Sequence, residues 1–158
     1  MIWPSALVAG VVGTLVMTTM LRVASEMGVT RMDIALLLGT TVTGNRRTAK
    51  AVGYLFHFAI GVAFGFAYAF FFTVLDARTW WLGALVGALH GVFFSTVVMN
   101  VLLPVVHPRM ATSETASNEV ALLEPPGFLL HNYGRKTFLM TLGAHIAYGA
   151  TVGLIIRI

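Results

Sequence analysis

The sequence predicts an all-α integral membrane protein with four transmembrane helices built from two tandem, parallel two-helix repeats. Hydrophobic residues make up 58% of the 158-residue chain and charged residues 10%, whereas about 25% is typical of soluble domains. Four segments are apolar over the roughly 20 residues that a spanning helix requires. A third observation, a similarity between the two halves of the chain, predicts the repeats. We therefore interpret residues 1–158 as a single membrane domain.

The four apolar segments cover residues 5–25, 51–75, 79–103 and 137–156. The first lacks the basic region and small-residue cleavage site of a removable signal peptide, so we expect a retained helix. The absence of cysteine excludes disulfides and thiolate-ligated metal sites. The net charge of +4 does not indicate nucleic acid, because the basic residues gather at the ends of apolar segments and not along one soluble face.

The distribution of Lys and Arg predicts the orientation, because cytoplasmic loops are enriched in both residues. Eight of the ten basic residues flank the first and third connections, and only Arg78 and Arg157 lie on the other side. We expect a multi-pass protein of the cell (inner) membrane, with both termini outside and loops 26–50 and 104–136 cytoplasmic. Within the first loop, Asp33 is placed to cap a short interfacial helix. The later loop, with its prolines, should be mostly irregular, and its LLEPPGFLL portion should return to the membrane surface.

An internal duplication is indicated by the pattern H-x-A-x-G-x-x-x-G, which occurs at 57–65 and again at 145–153. Outside the helices, the pair Arg31-Met32 follows ALVAGVVG at the same distance as Arg109-Met110 follows ALVGALHG. Glycine-rich apolar helices match by chance, but these loop correspondences favour duplication. Repeat 1 covers about 1–75 and repeat 2 about 79–158. Since each unit contributes two spans, the copies should be related by an axis along the membrane normal.

Small residues recur every fourth position around two histidines and share one helix face with them. Gly53 and Gly61 flank His57, while Thr141 and Gly149 flank His145. Such small-xxx-small stripes let transmembrane helices approach closely, so they predict a tight four-helix bundle. One stripe could instead form the seam of a homodimer.

Three histidines are the candidates for chemistry. His57, His90 and His145 each lie about 10 to 15 Å inside an interface at 1.5 Å per helical residue, so near the bilayer midplane. Ionisable residues at that depth usually face the bundle interior and serve function. The alternative is structural, with each imidazole bonded to a Ser, a Thr or a carbonyl on a neighbouring helix. Both interpretations stay open. His107 and His131 should be solvated.

Under the functional interpretation the imidazoles ligate a tetrapyrrole or a metal ion, with Gly53, Gly61 and Gly149 giving a flat group access to the backbone. A haem b held by His57 and His145 is the leading hypothesis, and a chlorophyll-type pigment on one histidine is its variant. A metal ion held by His57, His90 and His145 belongs to the same class. No catalytic residue is predicted, because the chain has no nucleophile elbow, HExxH motif or paired intramembrane carboxylates.

The function predicted is that of a small membrane binding or accessory subunit, not a hydrolase. A different class, kept as the alternative, is a transporter or channel component conducting protons, metal ions or a small solute along the His- and Thr-lined interface. Expected partners are the lipid bilayer and either a second copy or a larger membrane complex. Arg31 and Arg109 should contact lipid headgroups or another anion.

Overall fold

The computed structural model describes residues 2–111 and 123–156, and within these ranges the regular secondary structure is helical apart from one isolated β-bridge between Met110 and Leu123. Residues 112–122 of the predicted loop 104–136, and Arg157, lie outside the described residues. The elements are α1 (Ile2–Glu26), α2 (Ile34–Gly39), α3 (Arg46–Val74), α4 (Trp80–Phe93), a π-helix (Phe94–Leu102), α5 (Leu103–Val106), a 3₁₀-helix (Phe128–Tyr133) and α6 (Thr137–Ile155).

Four helical stretches are long and apolar enough to cross a membrane: α1, α3, the continuous run Trp80–Val106, and α6. The prediction of an all-α protein with four spanning segments is therefore confirmed. The third stretch passes beyond 103 because the π-helix leads into α5, where Pro104 occupies the first turn. Proline has no backbone N–H, so the hydrogen bonds that run back into the π-helix are interrupted at Pro104.

The helix α3 begins five residues before the apolar segment that predicted it. The side chain of Asn45 accepts hydrogen bonds from the backbone N–H groups of Arg47, at 3.1 Å, and Thr48, at 3.0 Å. This N-cap satisfies donors that the first turn otherwise leaves unpaired. The polar first turn lies outside the hydrophobic stretch, so hydropathy alone placed the start too late.

The short helix α2 forms in the first connection, and Asp33 caps it as expected. Its carboxylate accepts from the N–H of Leu36 at 3.0 Å and lies 2.7 Å from the Lys50 ammonium. Burial acts to raise the pKa of Asp33, but the Lys50 hydrogen bond, the Leu36 N–H and the charge of Lys50 outweigh it and lower that pKa. The ion pair thus fixes α2 to the first turn of α3.

The C-terminal end of α2 is held by the third connection. The Nε2 of His107 lies 3.0 Å from the carbonyl of Leu37, and the Arg109 guanidinium donates to the carbonyl of Thr40 at 2.5 Å. The expectation that His107 is solvated was wrong: its side chain is buried, because the last carbonyls of a helix need donors. His131 is exposed, as expected.

The order of helix packing leaves one side of the bundle open. Helix α1 packs against α3 and α6, and α6 packs against α4. Helices α3 and α4 share no comparable interface. The spanning helices therefore lie in the order α3, α1, α6, α4, with a gap between the first and the last.

Candidate ligand-binding cavity

The three interior histidines line one cavity of about 80 Å³. His57 comes from α3, His90 from α4 and His145 from α6, so the cavity lies where the gap between α3 and α4 meets α6. His57 and His145 are almost fully buried, whereas His90 is half-buried. The three histidines that the sequence analysis placed near the bilayer midplane thus line the same cavity.

The ring of His57 is held by α1. Its Nδ1 lies 3.1 Å from the hydroxyl of Thr18 on that helix. Among the described residues no hydrogen bond involves the Nε2 of His57. The opposite ring nitrogen is therefore available to the cavity.

The ring of His145 is held by its own helix. Its Nδ1 lies 2.8 Å from the backbone carbonyl of Thr141. A carbonyl only accepts, so Nδ1 carries the proton and Nε2 keeps its lone pair. This is the tautomer that a ligating or hydrogen-bond-accepting imidazole requires.

Aromatic rings surround His90 and close part of the gap. Phe64 of α3 stacks on His90 with centroids 4.1 Å apart, and the Tyr68 hydroxyl lies 3.5 Å from the His90 Nδ1. On the other side the rings of His90 and His145 meet edge to face at 4.8 Å, and Phe94 lies 5.1 Å from His145. Side chains, and not packed backbones, therefore connect α3 to α4.

Thr141 places an unpartnered hydroxyl at the cavity wall. Its Oγ1 is buried and has no hydrogen-bond partner among the described residues, a state shared only by the hydroxyl of Ser95. Five other hydroxyls in the spans bond the carbonyl one turn back in their own helix, those of Thr14, Thr19, Thr73, Thr96 and Thr151. Leaving a buried hydroxyl unsatisfied costs about 1–3 kcal/mol. The cavity therefore offers a polar group that a ligand atom could satisfy.

The rest of the cavity wall is mostly apolar, and no charged residue lines it. Ile60 and Phe64, at the gap between α3 and α4, are 43% and 37% exposed. At the back, the hydroxyl of Tyr148 donates to the carbonyl of Gly61 at 2.6 Å and is thereby engaged. The cavity thus has a partly open apolar mouth and a buried rear wall.

The three predicted site glycines serve mainly helix packing. A Cβ added at Gly53 would meet the backbone of Ala35 in α2, and one added at Gly149 would meet the backbone of Gly83 in α4. Gly61 lines the cavity, but its Cα also faces the side chain of Thr14. The sequence analysis predicted that a flat ligand would lie against Gly53 and Gly149. In the structure, neighbouring helices occupy the space beside these two glycines.

Arg31 and Arg109 lie at the α2 end of the bundle and do not line the cavity. The Arg31 guanidinium donates to the carbonyl of Asn132 and lies 3.2 Å from the Glu124 carboxylate. Each arginine contacts the connection of the opposite half, since Arg109 bonds to Thr40 at the end of α2. Both have protein partners; contact with a lipid headgroup or anion stays a prediction.

The described residues contain no group of three or more His, Cys, Asp or Glu positioned to hold one metal ion. The three imidazoles therefore line a common space without converging on a point. A metal bound here by all three would require the rings to move.

A small polar pocket of about 20 Å³ adjoins the cavity on the α2 side. It shares Leu21, Met32 and Ile34 with the cavity, and its polar wall is formed by Thr18, Arg22, Ser25, Asp33 and Tyr54. A space of this size holds about one water molecule. Through Thr18, which also contacts His57, the pocket connects the imidazole site to the charged end of the bundle.

Sequence reasoning did not identify the aromatic residues of the cavity. Phe94 lies four residues after His90, and Tyr148 three after His145, so both share a helix face with a histidine. Phe64, seven residues after His57, repeats that face two turns on. Searching for aromatic residues at helical spacing from each histidine could therefore have identified Phe64, Phe94 and Tyr148 from the sequence.

Comparison with known proteins gave no match among curated proteins and none among solved structures. Residues 3–158 match a protein family described as a family of unknown function (DUF6789). Because the match covers nearly the whole chain, the protein belongs to this family.

Proposed function

We propose that the protein is a membrane-embedded binding subunit that holds a ligand through the Nε2 atoms of its interior histidines. The observation that carries this function is the arrangement of His57 and His145, which line one cavity with their Nδ1 atoms engaged and with no hydrogen bond to either Nε2 among the described residues. Ligating histidines commonly have the second ring nitrogen bonded to a carbonyl or another oxygen, which fixes the ring. Purely structural imidazoles gain nothing from a shared empty space.

A haem b coordinated by His57 and His145 is the first ligand hypothesis, and a chlorophyll-type pigment on one of them is the second. Pockets for drug-sized ligands occupy about 300–1,000 Å³, whereas this cavity measures about 80 Å³. A tetrapyrrole therefore requires α3 and α4 to separate, which the missing interface between them allows at low cost. A metal ion needs less space and would take two or three of the histidines.

The test is the absorption spectrum and metal content of protein purified in mild detergent from haem-replete cells. A Soret band or a stoichiometric metal is expected in the wild type and should be lost in His57→Ala and His145→Ala. His131→Ala is the matched control, because His131 is exposed and far from the cavity wall. A preparation that contains no pigment, metal or other small molecule would overturn the binding function.

An accessory role is supported by the exposure of the third span. In the most hydrophobic part of Trp80–Val106 only 17% of residues are buried, against 33–39% in the other three spans. Its outward face, including Leu85, Leu89, Phe93 and Val101, is available to a second copy or to a larger subunit. Native mass spectrometry from membranes should therefore detect a complex, and an isolated monomer would argue against this role.

An internal duplication is the evolutionary part of the proposal. Each proposed repeat forms a packed helix pair, because α1 packs against α3 in the first and α4 packs against α6 in the second. The reciprocal reach of the two arginines into the opposite connection supports the same pseudo-two-fold relation. Placing both termini outside the cell membrane, with loops 26–50 and 104–136 cytoplasmic, follows from the basic residues at the α2 end.

Transport is the second candidate, and the polar pocket beside Thr18 favours it. That pocket gives the histidines polar access from the α2 end. Toward the other end, the cavity is closed by the bond from Tyr148 to Gly61 and by the buried side chains of Phe72 and Val152. Proton or metal flux into liposomes that falls in both His57→Ala and His90→Ala would support transport, and unchanged flux would remove it.

A further inference from the structure

We infer that the cavity takes an uncharged, bilayer-soluble alcohol that enters between α3 and α4 and places its hydroxyl between Thr141 and His145. The inference rests on the proposed binding function and names the class of ligand and its route. It covers any apolar skeleton with a hydroxyl head, such as an isoprenoid or long-chain alcohol.

The entrance is lateral. Helices α3 and α4 have no packed interface, and the side chains that bridge them are Phe64, Tyr68 and His90. At the mouth Ile60 is 43% exposed, while Thr141 at the rear is 1% exposed. In a bilayer such a mouth faces hydrocarbon, so a molecule already dissolved in the membrane reaches the cavity without crossing the interface.

The lining excludes a charged head. No Asp, Glu, Lys or Arg lines the cavity, and a buried charge without a partner is strongly unfavourable in an apolar interior. Carboxylates, phosphates and ammonium groups would therefore lack a counterion here. Among membrane-soluble amphiphiles, the lining therefore favours one with a neutral head.

The polar atoms at the rear select a hydroxyl. The Nε2 of His145 carries a lone pair and accepts a hydrogen bond, because Nδ1 holds the ring proton against the Thr141 carbonyl. The Thr141 Oγ1 is buried, unpartnered and able to donate. A ligand hydroxyl can donate to His145 and accept from Thr141, whereas a carbonyl satisfies only Thr141 and an alkane satisfies neither.

The size of the cavity limits what enters it. Since a water molecule needs a cavity of at least about 10–15 Å³, a space of about 80 Å³ accepts a hydroxyl and a few carbon atoms. The remaining apolar skeleton must lie in the gap, against Ile60 and Phe64. The expected ligand therefore has a small head and an extended tail.

Photolabelling of the full protein in phosphatidylcholine vesicles tests the inference. The probes are hexadecanol bearing a diazirine near its hydroxyl and a hexadecane with the diazirine at the same carbon. The alcohol should label the α6 peptide containing Thr141 and His145 about 3- to 10-fold more than the alkane, the range expected for one or two hydrogen bonds. Thr141→Val should reduce this preference, because only the hydrogen bond to His145 then remains.

Two variants separate loss of binding from loss of folding. Thr151→Val removes a hydroxyl of α6 that bonds its own helix at Ala147, and it should keep the preference for the alcohol. Thr141→Ser retains the hydroxyl and should also keep it. Loss of the preference in Thr151→Val, or a preference in Thr141→Val as large as in the wild type, would overturn the inference.

The result is distinguishable from a failure of the binding function itself. Equal labelling by both probes, together with a Soret band or bound metal, would overturn the alcohol and leave the histidine-binding function intact. Equal labelling with no pigment, metal or small molecule would overturn both. An excess of alcohol labelling supports both.

Discussion

The rings of His90 and His145 meet edge to face, with their centroids 4.8 Å apart and their planes at 80°. In this contact the two imidazoles cannot lie on opposite sides of a flat ligand, because no space separates them. The pair available across the cavity is therefore His57 with His145. His90 is placed instead to position His145, since Phe64 stacks on its other side.

The first prediction follows from the different roles of His145, which faces His57 across the cavity, and His90, which positions His145. His90→Phe keeps an aromatic ring between Phe64 and His145, so it should change stability by less than about 1.5 kcal/mol, as volume-conserving changes do. Ligand binding should persist in this variant and be lost in His145→Phe. Thermal unfolding in detergent, read beside the absorption spectrum or the photolabelling yield, measures both effects. Equal loss of ligand in the two variants would show that His90 is itself a ligand.

Local features of the structure could be predicted from the sequence. Hydropathy located the four spans, and the helix that Asp33 caps was predicted because capping depends on adjacent residues. Counting residues from the interfaces placed His57 and His145 at one depth, and both line one cavity. These inferences needed no knowledge of which helices are neighbours.

Features that depend on helix neighbours could not be predicted. The burial of His107 arises from α2, 70 positions away in the chain. The gap between α3 and α4 arises because both instead pack on the central pair α1 and α6. The unpartnered hydroxyl of Thr141 has no sequence signal, since Thr151 in the same helix bonds its own backbone.

The orientation can be checked directly because the chain contains no cysteine. Gly44→Cys lies in the connection at the α2 end and Ala77→Cys in the short turn between α3 and α4, and both positions are exposed. A membrane-impermeant maleimide applied to intact cells should label Ala77→Cys, whereas Gly44→Cys should react only after permeabilisation. The reverse pattern would invert the orientation inferred from the basic residues.

The ion pair between Asp33 and Lys50 predicts a stability that depends on pH. The folded pKa of Asp33 is lowered, with burial opposing the shift and Lys50 and the Leu36 N–H outweighing it. A carboxyl with a depressed folded pKa contributes stability above its unfolded value of about 3.9, and that contribution is lost as pH falls through the folded pKa.

Wild-type protein should therefore lose thermal stability between about pH 4 and the lower folded pKa of Asp33. Asp33→Asn retains an acceptor for the N–H of Leu36 but not the charge, so its midpoint should be lower at neutral pH and change less over this acidic range. Thermal melts in detergent at several pH values, with hydrogen exchange at α2, measure the difference. Parallel pH curves for the two proteins would rule out a contribution from this pair.

The last prediction uses two glycines of α6 that differ in their surroundings. A Cβ at Gly149 would meet the backbone of Gly83 and the Cα of Gly87 in α4, which cannot move without separating the helices. A Cβ at Gly143 would meet no atom within 4 Å. Overpacking typically costs about 1–3 kcal/mol, whereas replacing glycine by alanine in an open helical position gains up to about 1 kcal/mol.

Gly149→Ala should therefore destabilise the bundle, and Gly143→Ala should leave it unchanged or stabilise it. Because His145 lies one turn from Gly149 and packs on Gly91, separation of α4 from α6 should also weaken ligand binding in the first variant. Thermal unfolding and the ligand assay, performed on the same samples, test both statements. Equal stability of the two variants would mean that α4 and α6 do not meet at Gly83 and Gly149.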